Sequence, residues 1–435
     1  MNAVDIINKK RLGGVLTEQE IEYMVMGFTE GAIPDYQMSA LMMAICLNGM
    51  TKGETVQLTR IMRDSGETVD LSEIRGIKVD KHSTGGVGDK TTLIVAPIAA
   101  ACGVPIAKMS GRGLGFTGGT VDKMESIPGF VTSMERSRFI ESVNDKGIAV
   151  IGQTGHIAPA DKKMYALRDV TGTTESISLI TSSIMSKKLA AGADAIVLDV
   201  KCGAGAFMKT YEDARELASW MVDIGRGNGK SMTAVISDMN QPLGRAVGNA
   251  LEVQEAIDVL KGGGPEDIRT LSLKLAAEMI RLGGRADGDS AKAGQLAREA
   301  LDGGAALEKF RQFVANQGGD PEITSDRTRL PQAAFAVSVT ADEAGFVTRL
   351  DAMEIGLASQ HAGAGREKKE DAIDMAAGIL LEKKLGDEAA AGEVLCTVYG
   401  SDEAKVKNGA RQAKAAFAIG KDKPEVPELI KEVIR

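Results

Sequence analysis

Residues 79–92 read VDKHSTGGVGDKTT, and residues 104–120 read VPIAKMSGRGLGFTGGT. In each, a short apolar run feeds a loop of glycines, small hydroxyls and basic residues, and a helical stretch follows. The first run predicts a strand ending at Asp80, then Lys81, Ser83, Thr84, Gly85, Gly86 and Gly88, then a helix from about Lys90. The second predicts a strand over 104–107, with Lys108, Ser110 and Arg112 among the loop glycines and Thr120 capping a helix from Val121. Exposed amides at a helix start, hydroxyls and a lysine make an anion site. The first loop is not a Walker A loop, because no GK[ST] follows at the required spacing. Either loop alone is also readable as a plain glycine turn. Together, each after a strand, they fall on one carboxyl edge of a parallel sheet, where open α/β sheets bind ligands. The pairing points to phosphate.

Outward from these loops, apolar runs at 77–79, 104–107, 148–151, 195–200 and 234–236 alternate with helical stretches. That is the rhythm of βα units around a mainly parallel sheet. The first seventy residues read as helices. Thr17–Glu20 and Thr51–Glu54 have capping-box spacing, and Met38, Leu41, Met42 and Ile45 form one apolar stripe. Gly66 marks the end of the third helix. A helical hairpin at 159–171 and 176–191 interrupts the βα rhythm and is expected to pack with the N-terminal helices. Further helices run to about residue 315. Residues 316–329, NQGGDPEITSDRTR, read as a linker. Beyond it, FAVSVTADEAGFVTRL alternates like strands, and 384–398 places strand pieces around Gly386 and Gly392. The latter resembles a lipoyl-like β-hammerhead without its modified lysine. The expected fold is α/β: a small all-helical lobe (1–70 joined by 159–191), a large mainly parallel α/β lobe (71–158 and 192–330), and a C-terminal α+β domain (331–435).

Composition narrows the function. The chain has 435 residues, 43% hydrophobic and 26% charged, enough to bury a sizeable core. With 52 Lys+Arg against 60 Asp+Glu, the net charge of −8 gives no general pull toward nucleic acid or anionic lipid. No apolar run approaches the ~20 residues of a membrane span, and the N-terminus lacks a secretory apolar region. Four scattered cysteines fit free thiols in a cytoplasmic protein.

A third cluster lies on the hairpin. Arg168 ends DKKMYALRDV, and Ile180, Ser183 and Lys187 are spaced to share one helix face. A lone lysine there reads as a solvated charge. Its combination with Arg168, Ser183 and two phosphate loops raises the functional reading.

KHSTGGVGD (81–89), the glycine-rich run 108–130, ALRDVT (166–171), SSIMSKK (182–188) and SDMNQPLG (237–244) together resemble the pyrimidine-nucleoside phosphorylase family over nearly the whole chain. The resemblance implies a homodimer whose helical and α/β lobes close over a cleft. It implies phosphate bound by Lys81, Ser83, Thr92, Lys108, Ser110 and Thr120. Arg168, Ser183 and Lys187 would be the catalytic groups on the pyrimidine edge, with Tyr165, Ile180, Leu114 and Phe116 around the base. The implied reaction is phosphorolysis of uridine, 2′-deoxyuridine or thymidine, with inorganic phosphate as co-substrate and no organic cofactor. Phe116 departs from the family's usual histidine and offers no proton. This leaves a thymidine-selective phosphorylase, or a catalytically weak nucleoside-binding homologue, as alternatives. Lys90 is the second departure. It falls in an implied potassium site with Gly88, Leu243, Ala246 and Glu255, where an ammonium would repel or replace the metal. A phosphoribosyltransferase-like enzyme shares the general fold, but no clear acidic pair for magnesium diphosphate stands in the sequence. His82 reads as a structural loop residue, His156 and His361 as ordinary polar residues, and Asp122 and Glu125 as helix-start charges.

Overall fold

The computed structural model describes residues 1–113, 118–153, 155–366 and 371–435. Leu114 and Phe116 lie outside the described residues. The N-terminal helices are α1 (Ala3–Arg11), α2 (Glu18–Glu30), α3 (Asp35–Asn48) and α4 (Lys52–Asp64). Both capping boxes form: Thr17 and Thr51 accept from the amides of Glu20 and Glu54, whose carboxylates accept in return. The stripe Met38, Leu41, Met42 and Ile45 is buried with Met24, Leu58 and Met62. The hairpin helices α8 (Pro159–Arg168) and α9 (Ile177–Ala190) add Ala160, Met164 and Leu179 to that core. Helix α4 ends at Asp64, before Gly66. Gly66 is there for another reason: a Cβ on it would lie 2.2 Å from the carbonyl oxygen of His156, where the chain enters α8.

The α/β region is built on β1 (Val79–Ser83), β4 (Ala195–Cys202) and β5 (Ser231–Asp238), all parallel. A parallel pair, β2 (Ile106–Ser110) and β3 (Ile148–Gly152), lies beside β1, linked by Val79 N–H to Pro105 O at 3.3 Å. Strand β1 starts later than the apolar pattern suggested and runs through Ser83. Lys81 and Ser83 therefore sit on the strand, with Asp80 and His82 on its opposite face. Helix α5 (Thr91–Ala101) follows, buried along almost its whole length. Its apolar sides pack into the core formed with α11 (Asn249–Leu260), α12 (Glu266–Leu282), α13 (Ser290–Asp302) and α14 (Ala305–Asn316). Helices α6 (Thr120–Glu125), α7 (Arg136–Lys146) and α10 (Tyr211–Gly227) complete this region. Helix α6 begins at Thr120 itself, with Gly119 at the N-cap position, one residue earlier than expected.

Residues 316–329 are not a free linker. They form two short 3-10 turns, and Ile323 and Leu330 are buried in the main core. The alternating stretch 335–350 gives β7 (Phe335–Thr340) and β8 (Gly345–Leu350), which enter different sheets. One sheet orders β6 (Ala246–Val247), β9 (Gly378–Leu381), β11 (Val394–Gly400) and β7. The other orders β10 (Glu388–Ala389), β8 and β12 (Phe417–Gly420). Helices α15 (Ala352–Ser359) and α16 (Glu403–Ala415) cover them. Two crossings fasten this part to the α/β region. Strand β6 pairs with β9, and the last strand, β13 (Ile430–Ile434), returns to pair antiparallel with β5. The fold is thus α/β with a helical bundle and a C-terminal α+β part. No helix among the described residues is long and apolar enough to cross a membrane.

Candidate active site

Two adjoining cavities open at the carboxyl ends of β1 and β2. The first, about 360 Å³, is lined by the expected anion-binding set: Lys81, Ser83, Thr92, Lys108, Ser110 and Thr120. The second, about 710 Å³, is lined by Tyr165, Arg168, Ile180, Ser183 and Lys187, with exposed Phe207 at its edge. Thr84, Gln153, Ile184 and Lys187 border both cavities, so they form one cleft.

The anion end is a buried charge lattice. Lys81 Nζ lies 3.6 Å from Asp199 and 3.8 Å from Asp89, and donates to Thr91 Oγ1. Asp199 also pairs with Lys201 at 2.6 Å. On the other face of β1, Asp80 accepts from Lys108 and Lys188, each at 3.1 Å. Burial alone would raise Asp80, but these two ammonium groups overcome it and hold the carboxyl down to about 2. Burial pulls Lys108 down to about 8, with Asp80 resisting and Lys188 and Lys81 assisting. Burial, with Lys188 and Lys108 beside it, pushes His82 well below its ordinary value, so it is neutral at physiological pH. Lys81, Lys108, Lys188 and Lys201 against Asp80, Asp89 and Asp199 leave one excess positive charge. The N-terminus of α5 adds its partial charge on the same side.

Charged side chains brace the second loop. Asp122 accepts from the Gly113 amide at 2.7 Å and from Arg112 and Arg366. Arg112 also grips Glu125 through two hydrogen bonds. Asp122 and Glu125 are therefore loop braces rather than mere helix-start charges. Gly119 permits the closure, since a Cβ there would lie 2.0 Å from the Gly113 nitrogen. Buried Lys123 donates to Asp89 O at 3.2 Å and Gly118 O at 2.9 Å, and pairs with Glu252 at 3.2 Å, stitching both loops to α11.

At the other end, buried Arg168 donates to the carbonyls of Thr173, Leu179 and Thr174 at 3.0, 3.2 and 2.7 Å. That spends three of its five N–H donors and leaves one on each terminal nitrogen. The guanidinium lies 5.8 Å from the Tyr165 ring centroid. Lys187 donates to Asp161 at 2.6 Å and Ser183 Oγ at 3.2 Å. Asp161, Lys123, Asp199 and Lys201 are site-building residues that the sequence pattern did not single out. The residues of the implied potassium site do converge, but around the Lys90 ammonium itself.

A helical bundle joined to an α/β region with a cleft at the strands' carboxyl ends is the architecture of a glycosyl-transferring enzyme, and the family models agree. Residues 75–307 match the glycosyl transferase family a/b domain, and 4–66 the helical bundle domain of that family. Residues 346–420 match the pyrimidine nucleoside phosphorylase C-terminal domain. The chain is 58% identical over 425 residues to the pyrimidine-nucleoside phosphorylase of Bacillus subtilis (strain 168), covering 96% of this chain and 98% of the relative. It is 54% identical over 434 residues to that of Staphylococcus aureus (strain NCTC 8325 / PS 47), covering 100% of both. Among solved structures, anthranilate phosphoribosyltransferase from Thermus thermophilus shares the fold. Its TM-score is 0.58 at 21% identity, covering 72% of this chain and 99% of that one. The chain belongs to the pyrimidine-nucleoside phosphorylase family.

Proposed function

We propose that the cleft carries reversible phosphorolysis of uridine, 2′-deoxyuridine and thymidine, in pyrimidine salvage in the cytoplasm. The products are free base and α-D-ribose 1-phosphate or its 2-deoxy counterpart. One observation carries the reading: an anion-type cavity and a base-type cavity share the wall residues Thr84, Gln153, Ile184 and Lys187. A nucleoside in one then meets phosphate in the other.

In this mechanism phosphate rests on Lys81, Ser83, Thr92, Lys108, Ser110 and Thr120. One of its oxygens bonds to C1′ on the face opposite the base. The C1′–N1 bond breaks, its electron pair leaves with the pyrimidine, and C1′ inverts. Arg168 and Lys187 face the charge that gathers on the base, and Ser183 supplies a hydroxyl. Preorganised donors of this kind contribute about 3–4 kcal/mol each in other enzymes. Ile180 and Tyr165 give the base an apolar wall and a ring edge. Leu114 and Phe116 belong to the base-contacting set in this reading, and a phenyl side chain offers the base no proton. Inorganic phosphate is the co-substrate, and no organic cofactor takes part.

The working unit is a homodimer. Exposed Val4, Leu12, Tyr36, Met43 and Leu47 on and beside α1 and α3 support a second copy covering this lobe. Sedimentation velocity tests it, and a monomer at micromolar concentration would refute it.

A phosphorolysis panel of uridine, 2′-deoxyuridine, thymidine and cytidine tests the reaction. Phosphate-dependent release of uracil and thymine is expected. Release of thymine alone would favour a thymidine-selective enzyme, and binding without release a nucleoside-binding homologue.

A further inference from the structure

Lys90 and Glu255 form a buried ion pair with no part in the phosphorolysis steps above. Lys90 is 1% exposed and stands at the N-cap position of α5, two residues before Thr92. Its ammonium donates to Leu243 O at 3.0 Å and Ala246 O at 2.8 Å, and pairs with the Glu255 carboxylate. Three N–H donors thus meet three oxygens, and the ammonium is saturated. The other Glu255 oxygen is committed too, accepting from the amides of Arg245 and Ala246 at 2.8 and 3.1 Å.

Two carbonyls and a carboxylate are the donor set that hard cations take. Here the donors do not fit an added metal. A Cβ on Gly244 would lie 2.2 Å from Glu255 Oε2 and 3.0 Å from Lys90 Nζ, so the space is closed. A Cβ on Gly88 would lie 2.5 Å from Leu243 O, so the phosphate loop presses on the same carbonyls. A second ammonium, Lys384 Nζ, donates to Gly244 O at 2.8 Å and Asp267 at 3.1 Å, adding positive charge on another side. A metal ion beside Lys90 would meet like-charge repulsion in a low dielectric.

We propose that Lys90 is a tethered cation standing in for a monovalent metal, so that this enzyme holds its phosphate loop without potassium or sodium. The ammonium joins three segments: the loop 85–90, the turn 243–246 that continues into β6, and α11. It thereby couples the phosphate end of the cleft to the strand that receives the C-terminal β9. A tethered charge is present whatever the salt, whereas a bound ion stabilises only in proportion to its concentration.

The test compares the full-length enzyme in choline chloride with potassium chloride at equal ionic strength, with inorganic phosphate supplied as phosphoric acid neutralised by choline hydroxide. Wild type should melt within about 1 °C and turn over within about twofold in both. Lys90→Thr removes the ammonium and leaves Glu255 unpaired. It should melt about 5 °C lower in choline and recover in potassium or ammonium, whose ions can enter the vacated oxygens. A wild-type enzyme that loses tenfold or more of its rate in choline, roughly the 1.4 kcal/mol step of a factor of ten, would overturn the proposal. So would a Lys90→Thr protein that melts like wild type in choline, or one equally destabilised in every salt. The wild-type arm decides even where the variant does not fold. The melting arm is also independent of substrate: intact melts with no phosphorolysis count against the catalytic reading, not against Lys90.

Discussion

The carboxylate of Asp161 lies 2.6 Å from the ammonium of Lys187, and its other oxygen, Oδ1, is buried with no hydrogen-bond partner among the described residues. The pair joins the first turn of α8 to the last turn of α9 beside the larger of the two cavities of the cleft. With Ser183 Oγ as second partner at 3.2 Å, it fixes where the Lys187 charge points. Asp161→Asn keeps the shape and removes the charge. We expect nucleoside kcat/KM to fall about tenfold to a hundredfold, the scale of a misplaced catalytic group. The phosphate KM should change little. Asp161→Glu should recover part of the loss. An unchanged nucleoside kcat/KM in a folded Asp161→Asn protein would make the pair purely structural.

Arg168 and Lys187 themselves should matter more. Arg168→Ala and Lys187→Ala should each lower kcat/KM by about 10²–10³, since the leaving base loses a preorganised partner. Lys187→Arg should also be poor, because a planar fork does not replace a compact ammonium. Near-normal steady-state rates in Lys187→Ala would remove it from the catalytic set.

How far the sequence carried these residues depends on what kind of signal they leave. The two loops were legible because glycine and hydroxyl clusters after apolar runs are local. The end of β1 falls beyond the expected Asp80 because KHS (81–83) reads as loop, yet Asp80 and Lys81 are buried as ion-paired charges that no apolar pattern marks. Asp161 left a faint trace: it stands seven residues before Arg168, on the same face of α8. Lys123 left none. On a short helix it reads as solvated, and only the packing of α11 places Glu252 against it. The return of β13 to β5 is a pairing across nearly two hundred residues, with no local turn to announce it.

Lys81 offers a test of the anion end. Lys81→Ala should raise the phosphate concentration needed for saturation and lower turnover. It should also lower the melting temperature, because Asp89 and Asp199 lose a buried partner, and breaking such a pair costs about 3–5 kcal/mol. Ser110→Ala should shift phosphate saturation in the same direction, by less, without the melting penalty. Wild-type phosphate saturation curves in both variants would move the anion site elsewhere.

Lys108 sets the last prediction, on pH. Its ammonium is brought down to about 8, first by burial and then by Lys188 and Lys81, against the pull of Asp80. Between about 8 and the ordinary lysine value, the folded chain binds fewer protons at this site than the unfolded chain. Stability from this group therefore rises with pH across that window and is lowest below it, where the buried charge is retained. Phosphate binding runs the other way. Above about 8 the free enzyme loses one positive charge at the anion end, while phosphate stays a dianion. The kcat/KM for phosphate, which reports the free enzyme, should then fall along an alkaline limb centred near 8. Bound phosphate favours the charged lysine, so the corresponding limb in kcat should lie higher. Lys108→Met should lower the plateau and erase the limb. The measurement is kcat/KM for phosphate from about pH 6 to about pH 10 in both proteins. An alkaline limb that survives unchanged in Lys108→Met would assign it to another group.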